Sequence, residues 1–348
     1  IEAEGLSKLI LKSLRSLLIG AALKTPLVIR LEDLHWSDQS SIELLLPLLR
    51  LALSHRILYI LVLRPRYAET SDRILSYLRE NFAATGSIIS LEPLNEAESK
   101  TLVGNLLKNR ELPPRILGQI VDKSEGNPFF IEEVVRSLID EGAVEVRRNR
   151  FMITAKIDTV VIPDTINQVI LTRIDRLEEE TRNLLKIASV IGRAFLYRIL
   201  AQVAPALSDL EVRMEILKRA EILLERRSRE EREYLFRQAL AHEAVYNSIL
   251  IQKRKELHLN VAKTIEGLFS SRLPEFYGML AYHYSQAEDL DKAEEYLIKA
   301  GELALQSSAS SEALNFYNRA LSLYLRKSGQ KADPQKLSVL AQNIAQAY

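Results

Sequence analysis

Two adjacent carboxylates, Glu32 and Asp33, end the apolar run "PLVIRL" and are followed at once by His35, Trp36 and Asp38. Like charges this close raise each other's pKa unless a cation sits between them. Acids at the mouth of a buried parallel strand lie where such sheets bind ligands. One of them can hold a Mg²⁺, directly or through water, while the other orients a water for attack on a phosphate. The competing reading is that both acids cap the next helix or pair with nearby arginines. The residue types leave these two readings level.

A second apolar run, "ILYILVLRP", ends on Arg64, with Arg66 as a nearby alternative. Further on, Gly126, Asn127 and Pro128 punctuate a helical stretch, which a plain helix break explains. "HEAVY" at His242 opens like the zinc motif H-E-x-x-H, but Tyr246 stands where the second histidine is needed, so a zinc site is rejected. Trp36 is expected to pack on a helix start, and His35 to be structural.

The elements that must position these groups follow from pattern. "LSKLILKSLRSLLIGAALK" has helical spacing. Asp38 is placed to cap the helix "QSSIELLLPLLRLAL", with Pro47 inside it. "PLVIRL", "RILYILVLRP" and "SIISLEPL" read as three strands. Their lack of polar alternation predicts a parallel sheet covered on both faces. After residue 95 the pattern turns helical, opening on a capping box of Asn95 and Glu98. "AVEVRRNRFMIT" reads as a hairpin. "IPDTINQVILTRIDRL", "EEETRNLLKIASVIG" and "AFLYRILAQVA" read as helices, and a fourth near "LEVRMEILKRAE" precedes a second hairpin, the outline of a winged helix. "HEAVYNSILIQKRKELHLNVAKTIEGLF" reads as one long helix.

The last part repeats: Ala293, Tyr296 and Ala300 match Ala313, Phe316 and Ala320, the small–aromatic–small logic of stacked helical hairpins. An unfinished array predicts an exposed apolar stripe along Leu337, Leu340 and Ile344.

The chain has 348 residues, enough for two or three domains, with 47% hydrophobic and 27% charged residues. A formal charge of +1 gives no global field toward nucleic acid or an anionic membrane. The candidate wing "ERRSREEREY" alternates Arg with Glu, so its phosphate attraction largely cancels. No cysteine is present, which excludes disulfide and thiolate chemistry and fits a reducing, cytoplasmic setting. No apolar run approaches the ~20 residues of a membrane helix. The first residue is Ile1, not Met, which points to a piece of a longer protein.

"PLVIRLEDLHWSD" resembles the Walker B segment of the STAND class of P-loop NTPases. It is similar in particular to the AAA-like ATPase modules of class III adenylate and guanylate cyclases, LuxR-type regulators and some bacterial serine/threonine kinases. "ILYILVLRPRY", "LEPLNEAES", "SEGNPFFIEEVVRSLIDEG", the "IPDTINQ" segment and "HEAVYNSILIQKRKELH" continue the resemblance in order. It implies an ATP-binding and hydrolysing switch in which Glu32 holds Mg²⁺, Asp33 acts on the attacking water and Arg64 senses the γ-phosphate. Gly126, Asn127 and Pro128 would form a turn at the adenine side. The fold implied is α/β followed by mainly α. Residues 1–94 would be the C-terminal part of the NTPase core and 95–160 a helical lid with hairpin. Residues 161–240 would be a winged helix and 241–348 tetratricopeptide-like repeats that sense a protein partner or effector. One feature departs from the family: no Gly-Lys dipeptide occurs, so the Walker A loop that cradles phosphates is missing. This chain by itself is therefore expected to be inactive as an ATPase, with truncation as the expected cause. The alternatives are an interaction scaffold with an NTPase remnant, or part of a DNA-binding transcriptional regulator whose DNA reader lies elsewhere.

Overall fold

The computed structural model describes residues 3–108, 111–147, 150–205, 209–227, 231–307, 309–328 and 333–347. The tip of each expected hairpin, at 148–149 and 228–230, lies outside the described residues. The chain forms two compact units, one of residues 1–89 and 265–348, the other of residues 90–264.

The first unit opens with helix α1 (Ala3–Lys24), strand β1 (Leu27–Leu31), helix α2 (Gln39–Leu49), strand β2 (Ile57–Leu61) and helix α3 (Arg73–Asn81). Asp38 caps α2, accepting from Ser41 N at 2.6 Å, and α2 passes into a 3-10 turn at Arg50–Leu53. β1 and β2 pair in parallel from Leu27↔Ile57 to Leu31↔Leu61. Two expectations fail here. The sheet is covered on one face only, because apolar residues from α1, α2 and α3 all gather on the side of Leu27, Ile29, Tyr59 and Leu61. The other face leaves Val28, Leu58, Ile60 and Val62 exposed. Nor does "SIISLEPL" form a strand: Ile89 and Leu91 are exposed, and Leu94 N donates instead to Gly126 O at 2.8 Å.

The second unit contains α4 (Glu96–Leu106), α5 (Pro114–Ser124), α6 (Pro128–Asp140), and an antiparallel hairpin of β3 (Val144–Arg147) and β4 (Arg150–Ile153). The Asn95–Glu98 capping box forms as the sequence predicts. Then come α7 (Ile166–Asp175), α8 (Glu179–Ile191), β5 (Ala194–Leu196), α9 (Tyr197–Val203), α10 (Leu210–Arg219), β6 (Leu223–Arg227) and β7 (Arg232–Phe236). These three strands make an antiparallel sheet in the order β5-β7-β6. The strand β5 was not expected, since its residues read as the start of a helix. Phe195 sits there among Tyr234 and Phe236, and that aromatic contact overrides local helical preference. α11 (Ala239–Asn247) and α12 (Ile251–Leu268) replace the single long helix. The break falls where Ser248 Oγ bonds back to Val245 O at 2.6 Å and competes with the helical ladder.

The remaining helices belong to the first unit: α13 (Tyr277–Gln286), α14 (Leu290–Gln306), α15 (Ser310–Ser328) and α16 (Pro334–Ala347). Each packs on the next in sequence. The short turns joining α13, α14 and α15 set neighbours antiparallel. Ala293, Ala300, Ala313 and Ala320 are all buried. Gly301 lies directly under the Tyr317 ring, where a Cβ would meet Cε1 at 2.6 Å. The expected exposed stripe on the last helix is not observed: Leu340 is buried, and Ile344 packs with Tyr317 and Ala347, so that face folds inward. No helix among the described residues is long and apolar enough to cross a membrane.

One ionic node holds this array to the end of α12. Tyr284 donates to Glu266 Oε2 at 2.7 Å, Tyr296 donates to Oε1, and Lys292 Nζ lies 3.5 Å away. The two tyrosine rings stack, 5.6 Å apart and 2° from parallel. Burial pushes the Glu266 carboxyl up, but the hydroxyls and Lys292 together bring it below the ordinary glutamate value of 4.5. A depressed folded-state pKa adds stability above the unfolded value, which is lost as pH falls through the folded one. Glu266→Gln is thus expected to destabilise this unit by about 1–2 kcal/mol at neutral pH. The gap between wild type and variant should close as the pH is lowered through and below 4.5 in urea titrations. A gap that stays constant with pH would show that the charge of Glu266 is not what stabilises the node.

Candidate functional site

The parallel register places the ends of β1 and β2 side by side. Val62 N donates to Leu31 O at 2.8 Å, and Leu34 N to Val62 O at 3.2 Å. Glu32 and Asp33 therefore leave the carboxyl end of β1 beside the end of β2, which Arg64 follows three residues on. With two strands in this sheet among the described residues, β1 is not flanked on both sides.

Asp33 adopts left-handed backbone angles, φ 57° and ψ 30°, a conformation that Asp tolerates better than most residues. This turn reverses the chain into a 3-10 turn, Leu34–Trp36, whose Trp36 N donates to Asp33 O at 2.9 Å. Glu32 is exposed and pairs with Arg30 at 3.2 Å. Arg64 is exposed as well.

Under the turn, Leu34 and His35 are buried. His35 Nδ1 accepts from Arg64 N at 3.4 Å, and its carbonyl accepts from Thr70 Oγ1 at 3.1 Å. An accepting Nδ1 puts the proton of the neutral ring on Nε2, which is buried without a hydrogen-bond partner among the described residues. The ring lies between Trp36 and Tyr67, at 5.0 and 5.1 Å. His35 thus ties the acid-bearing loop to the loop after β2. Arg66 takes a turn conformation with φ 69°, and its N–H donates to Asp72 Oδ1 at 3.2 Å. Trp36 is 49% exposed, so it covers His35 on one side and faces solvent on the other, rather than being packed away.

Beyond the loop, Asp38 acts on a second carboxyl. Glu312, near the start of α15, is pushed up by burial and by the charge and hydrogen bond of Asp38. Nothing local in the sequence links two acids so far apart.

Gly126, Asn127 and Pro128 lie in the other compact unit, between α5 and α6. Glu125 and Gly126 both have positive φ, 47° and 74°. A Cβ on Gly126 would sit 2.2 Å from Leu94 O. Asn127 accepts from Phe129 N at 3.0 Å as the cap of α6, and Pro128 occupies its first turn. Capping and close backbone approach account for all three residue types. The structure therefore brings Glu32, Asp33 and Arg64 to one end of one sheet, with Gly126–Pro128 in a different unit.

Among the described residues, no group of three or more His, Asp or Glu side chains is arranged to hold a metal ion. Mg²⁺ commonly uses one or two carboxylates, several waters and substrate phosphates. A two-carboxylate mouth fits that donor demand in part.

A family model described as a domain of unknown function (DUF8739) matches residues 95–150, the segment from α4 to the start of β4. An uncharacterized protein of Rhizobium meliloti (strain 1021) is 26% identical over 305 residues, covering 86% of this chain and 28% of its own length. The chain thus spans little more than a quarter of that relative. Among solved structures, a signal transduction ATPase with numerous domains (STAND) protein with a tetratricopeptide repeat sensor, from Pyrococcus horikoshii, is similar. It shares 15% identity at a TM-score of 0.43, over 98% of this chain and 61% of its own.

Proposed function

We propose that this chain is part of an ATP-dependent regulatory switch, in which α13–α16 sense a protein partner or effector. The observation that carries the reading is the placing of Glu32 and Asp33 at the carboxyl end of a parallel strand, with Arg64 following its neighbour. In this reading Glu32 and Asp33 would hold Mg²⁺ and orient water, and Arg64 would face the terminal phosphate. A bound Mg²⁺ would neutralise charge developing on the phosphate oxygens. His35, on the acid-bearing loop, fixes the relative placing of the two loops by accepting from Arg64 N and Thr70 Oγ1 of the loop after β2. The β5-β7-β6 sheet with α8, α9 and α10 supports reading residues 161–240 as a winged helix in a structural role.

A scaffold reading is favoured by one observation: the sequence holds no Gly-Lys dipeptide, so it supplies no phosphate-cradling loop. Calorimetric titration separates the two. This chain alone is expected to bind ATP poorly. The same chain joined to a G-x-x-x-x-G-K-[ST] segment in the longer protein is expected to bind ATP with Mg²⁺ dependence. There, Asp33→Asn should lower ATP turnover by about 10²-fold or more. Micromolar ATP binding by the chain alone, or an unchanged turnover in the variant, would overturn this site assignment.

A further inference from the structure

A groove of about 640 Å³ opens along α15, against the end of α13 and the side of α14. Leu297 and Leu323 line its apolar part. Its polar part carries Asn315, Asn318, Arg319 and Arg326. No Asp or Glu lines it.

Both arginines are exposed, and among the described residues neither forms an ion pair. The neighbouring cations behave differently. Lys327 pairs with Asp291 and Glu294, and Lys336 pairs with Glu294 at 2.5 Å. These two lysines are thus neutralised within the array, while two guanidinium groups face the groove. Asn315, Arg319, Ser322 and Arg326 recur at helical spacing, which puts them on one face of α15.

Arg319 and Arg326 are seven residues apart on this helix, a rise of ~10 Å. Carboxylates three residues apart on a polyproline II peptide, which has three residues per turn, lie on one side about 9 Å apart. Guanidinium binds carboxylate bidentately. The amides of Asn315 and Asn318 can both donate to and accept from a peptide backbone. No aromatic ring lines the groove, so it offers nothing for bases to stack on.

The geometry points to this groove as the seat of an acidic polyproline II peptide segment from a partner protein, its carboxylates paired with Arg319 and Arg326. This deepens the reading of α13–α16 as the sensing part and rests on it.

A randomised peptide display library selected against the whole chain tests the assignment without nucleotide. Selected peptides are expected to be rich in Asp or Glu at two positions about three apart. Synthetic versions should lose about tenfold or more in affinity to the Arg319→Gln/Arg326→Gln variant. Asn318→Ala should weaken them less. Both arginines are exposed, so the variant is expected to keep the wild-type melting curve. If it does not, the single changes Arg319→Gln and Arg326→Gln serve, each expected to give part of the loss. The assignment is overturned if no peptide is enriched, or if basic or wholly apolar peptides are. It is also overturned if the variants bind as wild type does, or if a labelled oligothymidylate binds in preference and loses affinity in the same variants. Peptide capture by a chain whose longer form fails to bind ATP would sink the switch and leave the groove standing.

Discussion

Replacing Arg173 with Met should destabilise the 90–264 unit by about 3–5 kcal/mol, the usual range when one member of a buried ion pair is removed. Arg173 on α7 pairs with Glu133 on α6, and both side chains are almost wholly buried. Its other nitrogens reach Asp140 Oδ2 at 3.4 Å and Ala220 O at 3.1 Å. Deleting the guanidinium leaves the Glu133 carboxylate in an apolar setting with its main counter-charge gone. The double change Arg173→Met/Glu133→Leu should be more stable than Arg173→Met alone, because it removes the stranded charge as well. Urea unfolding followed by circular dichroism measures both. A loss below about 1 kcal/mol for Arg173→Met would mean the pair is solvated like a surface one.

Gly126→Ala is the second change with a large expected effect, about 3 kcal/mol or more. Left-handed backbone angles in a residue with a Cβ account for part of it. The larger part is contact with Leu94, whose carbonyl oxygen would lie 2.2 Å and nitrogen 2.8 Å from the new Cβ. Backbone cannot rotate aside as a side chain can. Gly118→Ala is the control, since nothing lies within 4 Å of a Cβ placed there in the interior of α5. That change should stabilise by about 0.5–1 kcal/mol through helix propensity alone. If both glycines respond alike to Ala in thermal melts, the Gly126–Leu94 clasp does not hold the turn.

Local signals in the sequence were legible. Asp38 and Asn95 are caps because a short polar side chain precedes an amphipathic run, and that geometry needs no distant partner. The two apolar strands and the acids that end β1 could be read the same way. What could not be read depends on partners far along the chain. "SIISLEPL" has the composition of a strand, yet among the described residues no strand pairs with it, and its end is held by the carbonyl of Gly126. Phe195 turns a helix start into β5 because its contacts are Tyr234 and Phe236. At the candidate site, the positions of Glu32, Asp33 and Arg64 follow from strand ends. The bridging by His35 exists only because the loop after β2 folds back onto the acid-bearing loop, and the Asp38–Glu312 encounter only because α15 packs on α2. Arg319 and Arg326 carried a visible spacing, but their lack of counter-charges emerges only once the lysines beside them are seen to be paired.

Trp36 is the only tryptophan in a chain with 13 tyrosines. It is half-exposed on the turn that carries Asp33, against the ring of His35. Light absorbed by indole and not by phenol therefore excites one residue, and that residue borders the candidate site. Its emission colour and its quenching by iodide give an optical readout of this loop with no label attached. A shift on adding Mg²⁺ or nucleotide would originate within one turn of the acid pair.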